Sequence, residues 1–348
     1  ARSKAFSTAV AVGLVEAAEK SDGKKIQPYW NSFHCASVAT LHEDGKVTSK
    51  YCKNRWCVTC NRIRTAKVVK QYLPDVKEMM KDDSVYFVTL TAPNVPAYEL
   101  RNELHRMKDT FSKIAGAIKK QAQRGKADKF IALRKLECTY SLKRNDFNPH
   151  IHSLVKGKDN ADRLLNQWLK RNPTADRKAQ DITKVTGSGG MMEVFKYSAK
   201  MITKTENKRK VYTDAMHKIY SAFDGIRTLQ PYGFSCSNSS AVVSGEEKTK
   251  AAAVSEYEWD QEQSDWINEQ LQVDESTGEI LGVINEPLSG YKPGETFKKF
   301  LKDGFIIRDN HYWIPAGVFP WDTSGKERII EQKELPKMNP YIYKPINR

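Results

Sequence analysis

The stretch Asn148-Pro149-His150-Ile151-His152-Ser153-Leu154-Val155 contains two histidines separated by one bulky apolar residue. Side chains two positions apart on a β-strand point to the same face. Both imidazoles could therefore approach one cation while Ile151 turns into the core. The alternative is a structural or surface pair, so the stretch predicts a metal site that still needs a third ligand.

The third ligand is expected on the preceding strand, predicted for residues 130–140. If the turn between the two strands is symmetric, Tyr140 pairs with Pro149 and Glu137 lies directly opposite His152. Residues opposite each other in an antiparallel pair share a face, with Cβ atoms about 4.5–5.5 Å apart. A register slip of one residue would turn Glu137 to the other face.

The chemistry of this site follows from its donors. Two imidazoles and one carboxylate leave open positions on a divalent cation, and this mixed set favours Mg²⁺ or Mn²⁺ acting on a phosphodiester. The alternative for Glu137 is an ion pair with Lys135 or Arg134.

The elements around the histidine strand predict an α+β fold. Periodicity and residue type predict a strand at 85–91, a helix at 98–123, the strand at 130–140, a polar turn at 142–148, the histidine strand, a helix at 160–169 and a strand at 181–185. This β-α-β-β-α-β order predicts a ferredoxin-like or RRM-like domain, with a central antiparallel sheet, two helices on one face and the other face free.

A further helix, predicted for residues 191–202, carries three polar side chains on one face: Glu193, Tyr197 and Lys200. A tyrosine hydroxyl is a poor nucleophile at neutral pH, because its unperturbed pKa is about 10. A metal-polarised phosphate and a nearby lysine would compensate for this. The alternative is a half-buried aromatic residue beside a solvated charge pair.

Four cysteines upstream of this domain have the spacing of a zinc site: Cys35, Cys52, Cys57 and Cys60. The C-x2-C pair could grip a tetrahedral Zn²⁺, with Cys52 and Cys35 completing four thiolates and His34 or His42 as spare ligands. A closed four-thiolate site would be structural. The alternatives are a disulfide or a redox C-x-x-C.

The charge is divided unevenly along the 348 residues, whose net charge is +15. Residues 1–235 hold 44 Lys and Arg against 23 Asp and Glu, a balance of +21, whereas residues 236–348 hold 13 against 19, a balance of −6. A body this basic predicts a polyanionic partner such as DNA, since each neutralised phosphate releases counterions. The alternative is a merely soluble basic surface.

The basic residues near the cysteines would form a surface suited to duplex DNA: Arg55, Arg62, Arg64, Lys67 and Lys70. No apolar run approaches the roughly 20 residues that cross a bilayer, so no membrane partner is expected. The N-terminal run 9–15 resembles a short signal peptide, but Glu16 and Glu19 follow it without an evident cleavage site. We therefore expect an N-terminal helix and a cytoplasmic location.

The chain is expected to contain three regions. Residues 1–82 comprise the N-terminal helix and the zinc-binding, DNA-contacting segment, and residues 83–235 form the domain of the histidine strand. Residues 236–348 form a polar linker and an acidic accessory region, expected to be partly helical over 256–279. No sequence pattern indicates a function for this last region.

Three motifs in order resemble those of HUH endonucleases, in particular the single-tyrosine initiators of rolling-circle plasmids: Phe87-Val88-Thr89-Leu90-Thr91, Pro149-His150-Ile151-His152 and Lys196-Tyr197-Ser198-Ala199-Lys200. Residues 134–140 resemble the strand that supplies the third ligand, and the C-x4-C-x2-C stretch is similar to a cysteine cluster of some members. The likeness covers residues 35–233. Residues 240–348 have no clear counterpart, which leaves oligomerisation and helicase recruitment open.

This resemblance implies that residues 83–235 are a HUH nicking domain. Tyr197 would attack a phosphate in single-stranded DNA at the plasmid origin, forming a 5′-phosphotyrosine and freeing a 3′-hydroxyl primer. Lys200 would assist charge or proton handling, and Glu193 would activate water for the terminating cleavage. The metal would be held by His150, His152 and Glu137.

The implied partner is plasmid origin DNA, duplex for recognition and single-stranded at the nick, with a host helicase and DNA polymerase as candidate partners. Two alternatives remain at this point. Another HUH enzyme, a transposase or a relaxase, would use the same chemistry on different DNA. A non-catalytic zinc-containing DNA-binding protein would make Tyr197 dispensable.

Overall fold

The structure is a computed structural model that describes residues 1–21, 23–81, 84–186, 203–205, 208–234, 251–273, 280–303 and 305–306. Two compact units are present, and each is discontinuous in sequence. Unit 1 is Ala1–Ile63, Ile202–Asp214 and Gly245–Arg348, and unit 2 is Arg64–Met201 and Ala215–Ser244. The division at residues 82 and 235 stays a prediction, since units defined by contacts need not coincide with functional regions.

Helices and strands alternate along most of the described chain. The helices are α1 (Arg2–Lys20), α2 (Ile26–Phe33), α3 (Val58–Met80), α4 (Ala97–Gln123), α5 (Lys158–Arg171), α6 (Thr213–Ala222) and α7 (Glu295–Asp303), with a 3₁₀ turn at Arg177–Ala179. The strands are β1 (Val38–His42), β2 (Val47–Ser49), β3 (Val85–Thr91), β4 (Ala132–Ser141), β5 (Asp146–Lys156), β6 (Asp181–Lys184), β7 (Thr203–Thr205), β8 (Lys208–Tyr212), β9 (Leu229–Tyr232), β10 (Ala253–Asp260), β11 (Asp265–Val273), β12 (Ile280–Pro287) and β13 (Phe305–Ile306).

Unit 2 is built on a five-stranded sheet with the spatial order β6-β3-β5-β4-β9. All neighbouring strands in it are antiparallel. The chain order β3-α4-β4-β5-α5-β6 is the order that the sequence predicts. The mixed α/β character with antiparallel strands is therefore confirmed.

Two helices cover one face of this sheet. α4 buries a stripe with helical periodicity: Leu100, Leu104, Met107, Phe111, Ile114 and Ile118. α4 and α5 contact each other, and both contact β5. Ile151 and Val155 of β5 are fully buried, and alternation along the strand turns them away from the two histidines.

The opposite face was expected to be free, and this expectation is wrong. Tyr72, Val76 and Met79 of α3 pack in one buried cluster with Leu133 and Leu154. Leu154 lies on the same strand face as His152, two residues along β5. The helix therefore closes one end of this face with an apolar core that begins next to the histidines.

The acidic segment 256–279 was expected to be partly helical, and over its described residues, 256–273, this is also wrong. β10 and β11 pair as an antiparallel hairpin within the unit 1 sheet, whose order is β12-β11-β10-β1-β2. Ser255, Tyr257 and Trp259 alternate with acidic residues in β10. This period of two is a strand signal.

The predicted helix at residues 191–202 lies outside the described residues. Within the described part of the chain, no helix is both long enough and apolar enough to span a membrane.

Gly233 at the end of β9 offers a test of how tightly this sheet edge is packed. Its φ is +73°, and a Cβ there would fall on the carbonyl oxygen of Phe130. Gly225 has a similar φ of +72° but no neighbour within 4 Å of such a Cβ. We expect Gly225→Ala to lower the free energy of unfolding by about 1–2 kcal/mol, the penalty of the left-handed conformation alone.

Gly233→Ala should lose a further 1–3 kcal/mol, approximately, because the backbone must also move. Urea denaturation of both variants measures the difference. Equal losses would show that the end of β9 relaxes freely away from Phe130.

Candidate functional site

The β4–β5 hairpin sets which side chains meet around the histidines. Glu137 lies opposite His150 and Lys135 lies opposite His152. The predicted pairing of Glu137 with His152 is therefore wrong by two residues. The turn is shorter than predicted, because Asp146, Phe147 and Asn148 belong to β5.

Packing explains the shorter turn. Phe147 is 1% exposed, and its ring lies 5.3 Å from that of Tyr140, its partner across the hairpin. A shift of two residues conserves the strand face, whereas a shift of one would reverse it. Glu137 consequently stays on the same face as both histidines.

The three predicted ligands converge on one point. Glu137 Oε2 lies 3.4 Å from His150 Nε2 and 3.8 Å from His152 Nε2. The ligand atoms of all three residues lie within 4.8 Å of one another. The three side chains are only 11–18% exposed, so the group is partly shielded from solvent.

The Nδ1 atoms of both histidines, which do not face Glu137, also have hydrogen-bond partners. His150 Nδ1 lies 3.0 Å from the carbonyl oxygen of Asn148, and His152 Nδ1 lies 3.2 Å from Thr89 Oγ1. Because a carbonyl oxygen only accepts, Nδ1 of His150 carries the proton and donates it. In the neutral ring, Nε2 then presents a lone pair to the Glu137 carboxylate. A cation between these two acceptors would resolve the repulsion, so the residues fit a metal ion.

Lys135 forms the alternative ion pair without displacing Glu137 from this group. Its ammonium, 3% exposed, contacts Glu137 Oε1, while both histidines face Oε2. Burial by itself raises the pKa of Glu137, but a hydrogen bond from His150 in its protonated form, together with the charge of Lys135, outweighs it and holds that pKa below its usual value. Arg134 instead donates to the carbonyl oxygen of Arg227 at 2.9 Å.

The four cysteines also converge: Cys35, Cys52, Cys57 and Cys60. The sulfur of Cys60 lies 3.4 Å from that of Cys35 and 3.6 Å from that of Cys52. All four ligand atoms lie within 4.8 Å of one another, and the thiols are free rather than disulfide-bonded. The spacing suits a tetrahedral ion with four thiolates.

The spare histidines do not join this cluster. His42 uses Nε2 on Thr48 Oγ1 at 2.8 Å and Nδ1 on the carbonyl oxygen of Ala251 at 3.1 Å. His34 is buried, but its ring nitrogens are not among the ligand atoms that converge with the cysteine sulfurs. Four thiolates are therefore the set that the geometry favours.

Residues that are far from the cysteines in sequence lie around the cysteine cluster. Trp266 of β11 packs against it and donates from Nε1 to the carbonyl oxygen of Ala36 at 2.7 Å. Lys4 of α1 is buried, which lowers its pKa to about 8, although the cysteines' charges oppose this shift. No local pattern pointed to Trp266 as a neighbour of the cluster, because 230 residues separate it from Ala36.

The remaining predicted site residues are not positioned by the structure. Glu193, Tyr197 and Lys200 lie outside the described residues, so their roles stay predictions. Thr89 belongs to the first motif quoted above, but its contact with His152 was missed, because only the register of β3 on β5 brings them together.

Residues 46–160 match a protein family described as "Replication protein". A "Protein rep" of Staphylococcus aureus is 35% identical over 122 residues, which cover 33% of this chain and 49% of that protein. A "Protein rep" of Streptococcus pneumoniae serotype 2 (strain D39 / NCTC 7466) is 29% identical over 203 residues, which cover 51% of this chain and 61% of that protein. The chain thus spans less than two thirds of either relative, and no solved structure gives a significant match.

Lys135 tests how the buried carboxylate is stabilised. Lys135→Met keeps most of the side-chain volume but leaves Glu137 without its ammonium partner. Removing one partner of a buried ion pair typically lowers the free energy of unfolding by about 3–5 kcal/mol, and we expect a loss near the lower end because Glu137 is 15% exposed. Urea denaturation without divalent cations measures it.

Lys158→Met is the matched control, since Lys158 pairs with Asp162 at an exposed position. Such a pair contributes less than about 1 kcal/mol. Similar losses in the two variants would mean that Lys135 does not stabilise the carboxylate.

Proposed function

We propose that this chain initiates plasmid replication by cutting one strand of origin DNA, because residues 46–160 match a family described as "Replication protein". This match and both relatives support the plasmid replication initiator that the motifs predicted. The observation that carries the proposal is the convergence of Glu137, His150 and His152 within the matched residues. The family description favours replication over transposition or conjugation.

The three converging residues would hold Mg²⁺ or Mn²⁺. When bound, the cation would supply positive charge that polarises a non-bridging oxygen of the scissile phosphate. The protein's part is to orient the ligands: the carbonyl oxygen of Asn148 and the hydroxyl of Thr89 engage the Nδ1 atoms and leave both Nε2 atoms facing Glu137.

Tyr197 would be the nucleophile. Its hydroxyl oxygen would form a bond to phosphorus while the bond from phosphorus to the 3′ oxygen breaks, which gives a 5′-phosphotyrosine and a 3′-hydroxyl primer. The tyrosine proton is lost and the 3′ oxygen gains one, with Lys200 assisting the charge. In the terminating cleavage Glu193 would activate a water molecule.

The topology of unit 2 supports a ferredoxin-like HUH domain. In the motif β3-α4-β4-β5-α5-β6, the spatial order of the strands is β6-β3-β5-β4, with both helices on one face. The two histidines lie on the opposite face. DNA would therefore approach the side of the sheet that α4 and α5 leave uncovered.

The cysteine cluster would hold a structural Zn²⁺ and support contacts with duplex origin DNA. The basic balance of residues 1–235 and the exposed Arg62 and Lys70 of α3 support this partner. A host helicase and DNA polymerase would act on the primer once it is formed.

The catalytic assignment predicts a covalent adduct that depends on Tyr197. Incubation with single-stranded origin oligonucleotides and Mn²⁺ should give a protein–DNA adduct that survives denaturing electrophoresis. Tyr197→Phe should abolish it, because phenylalanine has no oxygen to attack phosphorus. Tyr98→Phe is the control, since Tyr98 is 81% exposed and belongs to no motif.

Glu193→Ala should still form the adduct but release it slowly, which separates the two cleavages. An undiminished adduct with Tyr197→Phe, or none with the parent protein, would refute the nicking mechanism.

The zinc assignment predicts one zinc ion bound after purification under reducing conditions. Cys57→Ala should abolish binding, whereas Cys138→Ala, which alters a buried cysteine outside the cluster, should not. Elemental analysis measures the metal. Because Trp266 packs on the cluster, chelation should also speed amide hydrogen exchange in β10 and β11. Stoichiometric zinc in Cys57→Ala would contradict the assignment.

A further inference from the structure

Thr89 contacts His152 at Nδ1, the ring nitrogen that does not face Glu137. It lies on β3, directly opposite His152 of β5, and its Oγ1 is 3.2 Å from His152 Nδ1. Thr91, two residues along, lies opposite His150 but directs its hydroxyl elsewhere. Thr91 Oγ1 donates to the carbonyl oxygen of Ala179 at 3.3 Å and accepts from Gln180 Nε2 at 2.9 Å.

Shape alone does not fix the orientation of the His152 ring. The ring packs against Phe87, with centroids 5.0 Å apart. A half-turn of an imidazole about its Cβ–Cγ bond exchanges nitrogen for carbon while the outline stays nearly the same, so an apolar neighbour hardly distinguishes the two orientations. A hydrogen bond to Nδ1 does distinguish them.

The two histidines are fixed by different kinds of partner. His150 Nδ1 meets a backbone carbonyl oxygen, which every residue at position 148 would supply. His152 Nδ1 contacts the side chain of Thr89, which a mutation can remove. In the flipped ring, carbon rather than Nε2 would face Glu137, and the converging group would lose one nitrogen.

We propose that Thr89 is a positioning residue of the metal site: its hydroxyl accepts the Nδ1–H of His152 and so keeps Nε2 directed at Glu137. This inference rests on the proposed function, in which that group holds Mg²⁺ or Mn²⁺. Groups that orient metal-bound histidines commonly change metal affinity 10–100-fold when removed.

The test uses Mn²⁺ itself as the probe and does not depend on DNA cleavage. Thr89→Val keeps the shape of the side chain but removes the hydroxyl, and Thr89→Ser restores it. The affinity for Mn²⁺, measured from the electron paramagnetic resonance signal of the free ion, should fall roughly 10–100-fold in Thr89→Val. It should return close to the parent value in Thr89→Ser. Thr91→Val is the matched control and should bind Mn²⁺ like the parent.

A second readout works without any metal. The ¹⁵N chemical shifts of His152 should report an Nδ1–H tautomer in the parent protein and its loss in Thr89→Val. If the parent shows this tautomer but binds no Mn²⁺, the positioning role holds and the proposed metal chemistry fails. Unchanged Mn²⁺ affinity in Thr89→Val, or an Nε2–H tautomer in the parent, would overturn the inference.

Discussion

The pairing register of β4 on β5 is the constraint on which the candidate metal site depends. Side chains alternate faces along a strand, so Glu137 shares a face with the histidines only in registers that differ by an even number of residues. Tyr140 and Phe147, whose tilted rings pack against each other across the hairpin, secure the observed register beside the turn. An apolar contact at the tip thus determines where a carboxylate lies three residues along β4.

This parity explains what the sequence could predict. Strand β3 and helix α4 were recoverable because their periodicity is local, and the convergence of Glu137 with the histidines survived a two-residue error in register. Long-range contacts were not recoverable. The covering of the histidine face by α3 depends on Tyr72, Val76 and Met79 meeting a sheet that follows them in sequence. The strands of the acidic region were missed because composition outweighed alternation.

The two oxygens of the Glu137 carboxylate have different surroundings. Lys135 contacts one oxygen of Glu137 and the histidines face the other. A buried carboxylate without a partner would be strongly destabilised, so the lysine allows it to stay ionised before any metal binds. The same lysine reduces the net negative charge of the ligand set. Lys135 therefore stabilises the carboxylate without a metal, and a divalent cation bound as proposed would keep more of its charge for the phosphate.

Unit 1 places the acidic region beside the cysteine cluster rather than at the end of a separate tail. β10 pairs with β1, and Trp266 bonds to Ala36 across 230 residues of chain. Closing so long a loop has a large entropic penalty, which grows only slowly with further length. If the proposed zinc ion binds the four cysteines, it would order residues 35–60 before β10 is synthesised, because those cysteines are close in sequence. Strands β10 and β11 would then pack on a segment that is already folded. The segments of unit 1 would thus assemble in the order in which they are synthesised.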